Sequence, residues 1–381
     1  MSDKMNILLL YPFYNQKNLI SNFSKRMGEK GVHVDSICIA NMDYEKTTDV
    51  DWPSYFRILL SKTSRKKTTG IYFILHRIIY HFLLSAIFRK YDAIDFHAYY
   101  PQYNKLMKAA KKNNNKYYIT LWGSDLMRAN DKRRQQLRYG FDHCSRIKLS
   151  DNLFEIMRSH YSGAYDKKCR IVYFGNSDFD DIDLLDNAEY SKICYGLFGD
   201  TNGRRIVTCG YNAMPAQNHE TIIMQLNTID RKMLKACHFV FPLTYGGDED
   251  YKRRIIQYLD ESGLHYTALT KFMTNKEIAA LRKISDVVIN IQNTDALAGS
   301  LQDHLYCGGV CIIGEWLRYI PYDNNNIYYI KTKKENIAEN LVDVLVHFDS
   351  YHEKCIANHE KIRSILSWEA TIEKQKKVYG E

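Results

Sequence analysis

Short apolar runs of four to eight residues recur along this chain, each followed by a helix-length amphipathic stretch. That alternation belongs to α/β proteins with parallel sheets and argues against all-helical and all-β architectures. The runs in the first half are Asn6–Tyr11, Val32–Ile39, Ala93–His97, Tyr117–Trp122, Arg146–Leu149 and Arg170–Tyr173. Those in the second half are Arg205–Cys209, His238–Pro242, His265–Leu269, Val287–Ile291, Val310–Ile313 and Ile327–Ile330. Two sets of six predict two Rossmann-like sheets in series, and 381 residues are enough for two cores. Residues 175–203 are rich in Asp, Asn and Gly, the chemistry of turns, so the boundary is expected near 185, with domains at 1–184 and 185–364.

Charge divides along the same line. Residues 1–180 hold 30 Lys and Arg against 17 Asp and Glu, and the remainder 23 against 27. A basic first half suits nucleic acid, an anionic membrane surface or a phosphorylated substrate, all met by the same long-range attraction. No RNA-recognition, zinc-finger or helix-turn-helix signature accompanies it, so nucleic acid is not expected as a partner. The 9 cysteines form no C-x-x-C pair and no zinc-like spacing, which predicts reduced thiols. With no signal-peptide pattern at the N-terminus, the expected location is cytoplasmic. Residues 71–88 are strongly apolar but interrupted by His76, Arg77 and His81, and flanked by Arg65-Lys66-Lys67 and Arg89-Lys90. The segment reads either as a core helix covering a sheet or as a helix lying in the membrane interface, its basic flanks on lipid phosphates.

Open parallel sheets bind ligands beyond the carboxyl ends of their strands. In the first domain those ends are Tyr11-Pro12-Phe13, His97-Ala98-Tyr99 and Trp122-Gly123-Ser124-Asp125. In the second they are Gly210-Tyr211-Asn212-Ala213, Leu243-Thr244-Tyr245-Gly246, Lys271-Phe272 and Asn293-Thr294-Asp295. No G-x-G-x-x-G or Walker A sequence occurs, which argues against a dehydrogenase and a P-loop nucleotidase. The tract Thr-Leu-Trp-Gly-Ser-Asp-Leu (120–126) resembles the acceptor-side loop of GT-B glycosyltransferases. The tract from Thr294 to Val310 resembles their donor-binding loop and helix, and Ser367–Gln375 resembles their closing helix. Gly210-x-Asn212 with Asn218-His219, Pro242–Gly246 with Tyr251, and Leu269-Thr270-Lys271 leading to Glu277, Leu281, Arg282 and Asp286 are similar to the bacterial TDP-4-acetamido-4,6-dideoxygalactose (fucosaminyl) transferases acting on lipid-linked saccharides.

The resemblance implies a GT-B fold of two Rossmann-like domains facing across a cleft, with a helix at 365–381 crossing back to the first. It implies transfer of a sugar from a nucleotide sugar to a lipid-diphosphate-linked saccharide at the inner face of the membrane, in surface polysaccharide or O-antigen synthesis. Asp295 and Asp303 have the spacing of the Glu-x7-Glu pair of retaining members, one carboxylate near the sugar and one on the ribose; a first-turn Asp matched to the helix dipole is the other reading of Asp303. Gly299 and Ser300 at the head of that helix suit the diphosphate. The basic pair that retaining members place after the strand ending near Gly210 is absent, which favours the inverting outcome of the fucosaminyl type. Asn212, Asn218 and His219 then become neutral diphosphate donors or helix caps, Lys271 a donor-side residue, and Tyr245 a base-stacking or a turn tyrosine. An inverting transfer needs a general base, for which Asp125 or His97 is expected, with an N-cap as the alternative for Asp125. No Asp-x-Asp stands at a strand end, so no metal or other cofactor is expected. A retaining enzyme using Asp295 and Asp303, a non-catalytic scaffold of the same fold and a polyanion-binding protein remain as alternatives.

Overall fold

The computed structural model describes residues 5–12, 17–38, 86–113 and 115–381. The chain forms two compact units, residues 1–175 with 368–381, and residues 176–367.

The sheet of the first unit has the order β2-β1-β3-β4-β5-β6, all parallel, where β1 is Asn6–Tyr11, β2 His33–Cys38, β3 Ala93–His97, β4 Lys116–Thr120, β5 Arg146–Leu149 and β6 Cys169–Ile171. Strands covered on both faces can be apolar throughout rather than alternating. Thus Ile7, Leu8, Leu9 and Leu10 of β1 are all buried. Helix Trp368–Gly380 packs into this unit, where Trp368, Ile372, Val378 and Tyr379 join Ile7, Leu9, Tyr11 and Phe23 in one core. Gly175 leaves room for it, since a Cβ there would lie 2.3 Å from the Trp368 ring. β4 ends at Thr120, two residues before the expected Trp122, because the backbone N–H groups of Trp122 and Gly123 turn away to the Asp125 carboxylate. The apolar segment weighed as core or membrane helix lies outside the described residues up to position 85; near its end, Ile87 and Phe88 are buried. Among the described residues no helix is long and apolar enough to cross a membrane.

The second sheet runs β12-β11-β10-β7-β8-β9, also parallel, with β7 at Arg205–Cys209, β8 Cys237–Pro242, β9 Tyr266–Leu269, β10 Val287–Asn290, β11 Val310–Gly314 and β12 Ile330–Thr332. Counted within the unit this is the doubly wound order 3-2-1-4-5-6, read from the opposite edge, and its direction reverses between β7 and β10. The stretch 175–203, expected as a linker, instead forms helices Asp178–Leu184 and Asn187–Phe198, which pack on helix Asn275–Ile284. The acidic residues that suggested turns act here as helix-head charges, and Asp186 caps the second helix through Ala188 N and Glu189 N. The division of the chain therefore falls after Gly175, not near 185. Ile327, expected to open the last strand, instead donates its N–H to Tyr322 O, and β12 begins at Ile330. The eight cysteines from Cys144 to Cys355 are free; seven are buried and Cys307 is half-buried.

Candidate functional site

The site in the second unit is built where the sheet order reverses. β7 ends at Cys209, and Gly210 follows with φ +69°; a Cβ there would sit 3.0 Å from both Gln217 Oε1 and His219 Nε2. Side chains hold the next loop together. Asn212 Oδ1 accepts from Met214 N at 2.9 Å, and Gln292 Oε1 accepts from Gln217 Nε2 at 3.0 Å and from the Tyr211 hydroxyl at 2.8 Å. Asn218, at φ +60°, donates from Nδ2 to Ile291 O at 2.6 Å and to Asn293 Oδ1 at 3.0 Å, tying the β7 loop to the end of β10. Its side chain does not cap helix His219–Leu226, so the amides at that helix head have no side-chain acceptor from it. Lys334 Nζ, arriving from the end of β12, stands 3.4 Å from Asn218 Oδ1 and 5.5 Å from the centroid of the Trp316 ring. Asn212 and Asn218 are thus builders of the loop. His219 is fully buried, its Nδ1 against the Tyr251 hydroxyl at 3.0 Å, and burial lowers its pKa to about 4, which keeps the ring neutral.

After β10 the chain carries Asp295, which is partly open to solvent. Its Oδ1 accepts from Ala298 N at 2.9 Å and its Oδ2 from the Tyr319 hydroxyl. Burial raises the carboxyl to about 6, against the pull of these hydrogen bonds. Leu297, between Asp295 and the helix head, has φ +68°, a conformation that strains a side chain of its size. Helix Gly299–Tyr306 then begins with no side-chain cap at Ala298, with Gly299 exposed and Ser300 half-buried, so its first amides are positioned to meet an anion.

Asp303, on the same helix, is fully buried. Its Oδ1 accepts from Asn176 Nδ2 at 2.7 Å and its Oδ2 from Arg282 Nε at 3.3 Å. Burial, with the neighbouring Asp178, raises its pKa, and Arg282 opposes the rise. Neither the expected ribose contact nor a solvated first-turn place fits a carboxylate enclosed in this way; it ties the helix to Asn176 and Arg282.

Tyr245 and Phe272 follow β8 and β9 and are 43% and 80% exposed. Their rings are nearly parallel, 10° apart, with centroids 6.3 Å from each other. Lys271 is exposed beside them. The turn carrying Tyr245 lies against the β7 loop, since Ala213 N donates to Tyr245 O at 2.7 Å and a Cβ on Gly247 would reach within 2.2 Å of Ala213 O. Phe272, Trp316, Tyr319, Gln292 and Lys334 were not assigned roles from sequence. Only Phe272 carried a signal, as an aromatic residue at a strand end.

In the first unit the structure corrects both expected bases. Asp125 is fully buried and accepts from the backbone N–H groups of Tyr99, Trp122, Gly123 and Leu126, at 2.9 to 3.2 Å. It fastens the turn after β4 to the turn after β3, a structural part that leaves no room for a substrate hydroxyl. Burial raises its pKa to about 6, and hydrogen bonds from the amides of Trp122, Gly123 and Tyr99 oppose the rise. Asp125→Ala would strand these amides, each at about 1–3 kcal/mol. The expected result is a marked drop in the urea midpoint of the first unit.

His97 is also fully buried, its Nε2 3.2 Å from Asp95 Oδ2 and its Nδ1 3.2 Å from Trp122 Nε1. An indole N–H only donates, so Nδ1 accepts and the proton sits on Nε2 toward Asp95. Burial lowers the pKa of His97 and keeps it neutral. Asp95 also meets Lys148 Nζ at 2.6 Å and the Tyr379 hydroxyl of the closing helix.

No family model matches this chain, and a search of curated proteins finds no match. Solved structures do match along its whole length. HepE of Anabaena, in complex with UDP and glucose, aligns at 12% identity over 99% of each chain with a TM-score of 0.73. A glycosyltransferase from Rickettsia africae aligns at 14% over 99% of this chain and 98% of that one, TM-score 0.73. The catalytic domain of starch synthase IV from Arabidopsis thaliana, bound to ADP and acarbose, aligns at 14% over 100% and 99%, TM-score 0.68. With two parallel six-stranded α/β units and a final helix that returns to the first, the chain has the fold of the GT-B glycosyltransferases.

Proposed function

We propose that this protein is a glycosyltransferase that takes a sugar from a nucleotide-sugar donor held by its second unit. The observation that carries this reading is Asp295, a half-buried residue whose hydrogen-bonded carboxyl stands at the reversal of the sheet, beside an uncapped helix head. The helix head at Gly299 and Ser300 offers amides to a diphosphate, in place of a metal ion. Tyr245 and Phe272 present two ring faces to the nucleobase, with Lys271 nearby. Lys334 brings a cation to the head of helix His219–Leu226, on the loop where the basic pair of retaining enzymes is missing. Asp295 bears negative charge close to where positive charge develops at the anomeric carbon, and this favours the retaining outcome over the inverting one expected from the fucosaminyl resemblance. The acceptor is a lipid-diphosphate-linked saccharide of bacterial surface polysaccharide, met by the basic first unit at the cytoplasmic face of the membrane. HepE and starch synthase IV, solved with UDP and ADP, support the donor class.

Thermal unfolding with UDP, GDP, TDP and ADP, with and without EDTA, tests this reading. A nucleotide at about 100 times its dissociation constant stabilises the state that binds it by about 2.7 kcal/mol. The expected result is a shift with one of them, insensitive to EDTA, and reduced about 10-fold in affinity by Tyr245→Ala or Phe272→Ala. No shift with any nucleotide would sink the reading. The anomeric configuration of the product, read by proton NMR, distinguishes retention from inversion.

A further inference from the structure

Arg133 carries a guanidinium for which the first unit provides no acceptor among the described residues. Its central carbon lies 4.4 Å from the centroid of the Tyr100 ring, and Nε and Nη2 are both enclosed without a hydrogen-bond partner. Those two nitrogens form one edge of the guanidinium, whose parallel N–H groups match two oxygens of a phosphate or carboxylate. A buried cationic edge left unpaired is unfavourable, so its persistence here points to an acceptor that the described residues do not supply.

The surroundings agree. Arg133 sits in the first turn of helix Asp131–His143, fixed by its own backbone N–H, which donates to the Asn130 side chain at 3.0 Å. The helix is thus capped without any use of the guanidinium. The adjacent Arg134 is committed, donating from Nε to Ala129 O at 2.9 Å and from Nη1 to Asp131 Oδ1 at 3.1 Å. Tyr100 follows β3, and its hydroxyl lies 3.5 Å from Oγ of Ser124, an exposed residue just after β4. Arg133 therefore stands at the carboxyl ends of two neighbouring parallel strands, the edge at which such sheets take their ligands.

We propose that Arg133, held over the Tyr100 ring, binds a phosphate or carboxylate group of a ligand of the first unit, with the Ser124 hydroxyl beside it. The ring holds the guanidinium by cation–π attraction and uses none of its N–H groups. No protein hydrogen bond has to break when the guanidinium slides along the ring to open its enclosed edge. The anion site does not rest on the proposed sugar transfer; if that reading holds, the anion belongs to the acceptor.

Calorimetric titration of the whole chain with inorganic phosphate and pyrophosphate, for wild type, Arg133→Gln and Arg133→Lys, tests the site. Affinity is expected to fall about 10- to 100-fold in both variants, because lysine keeps the charge but lacks the edge. Unliganded unfolding midpoints are expected to stay level or rise, since an unpaired buried edge is removed. A parallel arm follows co-flotation with phosphatidylcholine vesicles with and without phosphatidic acid. Loss of phosphatidic acid-dependent flotation in the variants assigns the phosphate to a lipid, and flotation equal to wild type, or absent throughout, assigns it to a soluble ligand. Equal phosphate and pyrophosphate affinity in all three proteins, or none in wild type, overturns the site. Lowered midpoints in both unliganded variants also overturn it, since they would make Arg133 a structural residue.

Discussion

Asp295→Asn is expected to lower sugar transfer by about 100-fold or more while nucleotide affinity stays within about a factor of three. The substitution preserves size, and its one carbonyl oxygen can still accept from Ala298 N–H while its NH2 donates to the Tyr319 oxygen, so it removes the charge with little change of shape. A pH profile gives an independent reading. With its carboxyl raised to about 6, Asp295 is half protonated near that pH, and the rate should climb as pH passes upward through it. This inflection should vanish in Asp295→Asn. Stability moves the other way. A carboxyl with a raised folded-state pKa binds its proton more tightly when folded, so its effect on stability declines between the ordinary value near 4 and about 6. Above that window Asp295→Asn should unfold no earlier than wild type. Unchanged turnover with intact nucleotide binding would remove Asp295 from the chemistry without touching the donor site.

The second large effect is on folding. Asp95→Ala should cost the first unit about 3–5 kcal/mol, because it leaves the buried Lys148 ammonium without its carboxylate. It also removes the acceptor for the Tyr379 hydroxyl, the Thr120 hydroxyl and His97 Nε2–H, on which the closing helix and the ends of β3 and β4 converge. Asp95→Ala combined with Lys148→Met should recover much of the loss, since two apolar side chains leave no unpaired charge. A double-mutant cycle in urea measures the coupling. The pair also sets the acid limit of this unit. Burial alone would raise the Asp95 carboxyl, but Lys148 and then His97 more than offset this and hold it below the ordinary carboxylate range. Its contribution is therefore present above the unfolded value near 4 and lost as pH falls below it. Additive single-variant losses in the cycle would mean that the two groups do not act together.

Most of the fold was legible because a strand covered on both faces writes an apolar run into the sequence. Asn6–Tyr11, Ala93–His97, Arg146–Leu149 and Arg205–Cys209 are strands with the bounds their apolar runs predict. The 175–203 stretch misled because Asp, Asn and Gly serve helix heads and C-caps as readily as loops. In the site, strand ends could be located but side-chain roles could not. Tyr245 and Asp295 came from position, and they stand at the carboxyl edge of the sheet.

The sequence alone determined that the chain makes two parallel sheets and where their carboxyl edges fall, since both follow from local runs of apolar residues and the breaks between them. Only the tertiary structure decided what Asp125, His97 and Asp303 do. A carboxylate or imidazole acts as base, ligand or fastener according to the groups that reach it, and those groups come from elsewhere in the chain. Tyr99 N reaches Asp125 across 26 positions, Asn176 reaches Asp303 across 127, and Tyr379 reaches Asp95 across 284. Contacts of that range are set by how the sheets and helices pack, and no local spacing records them.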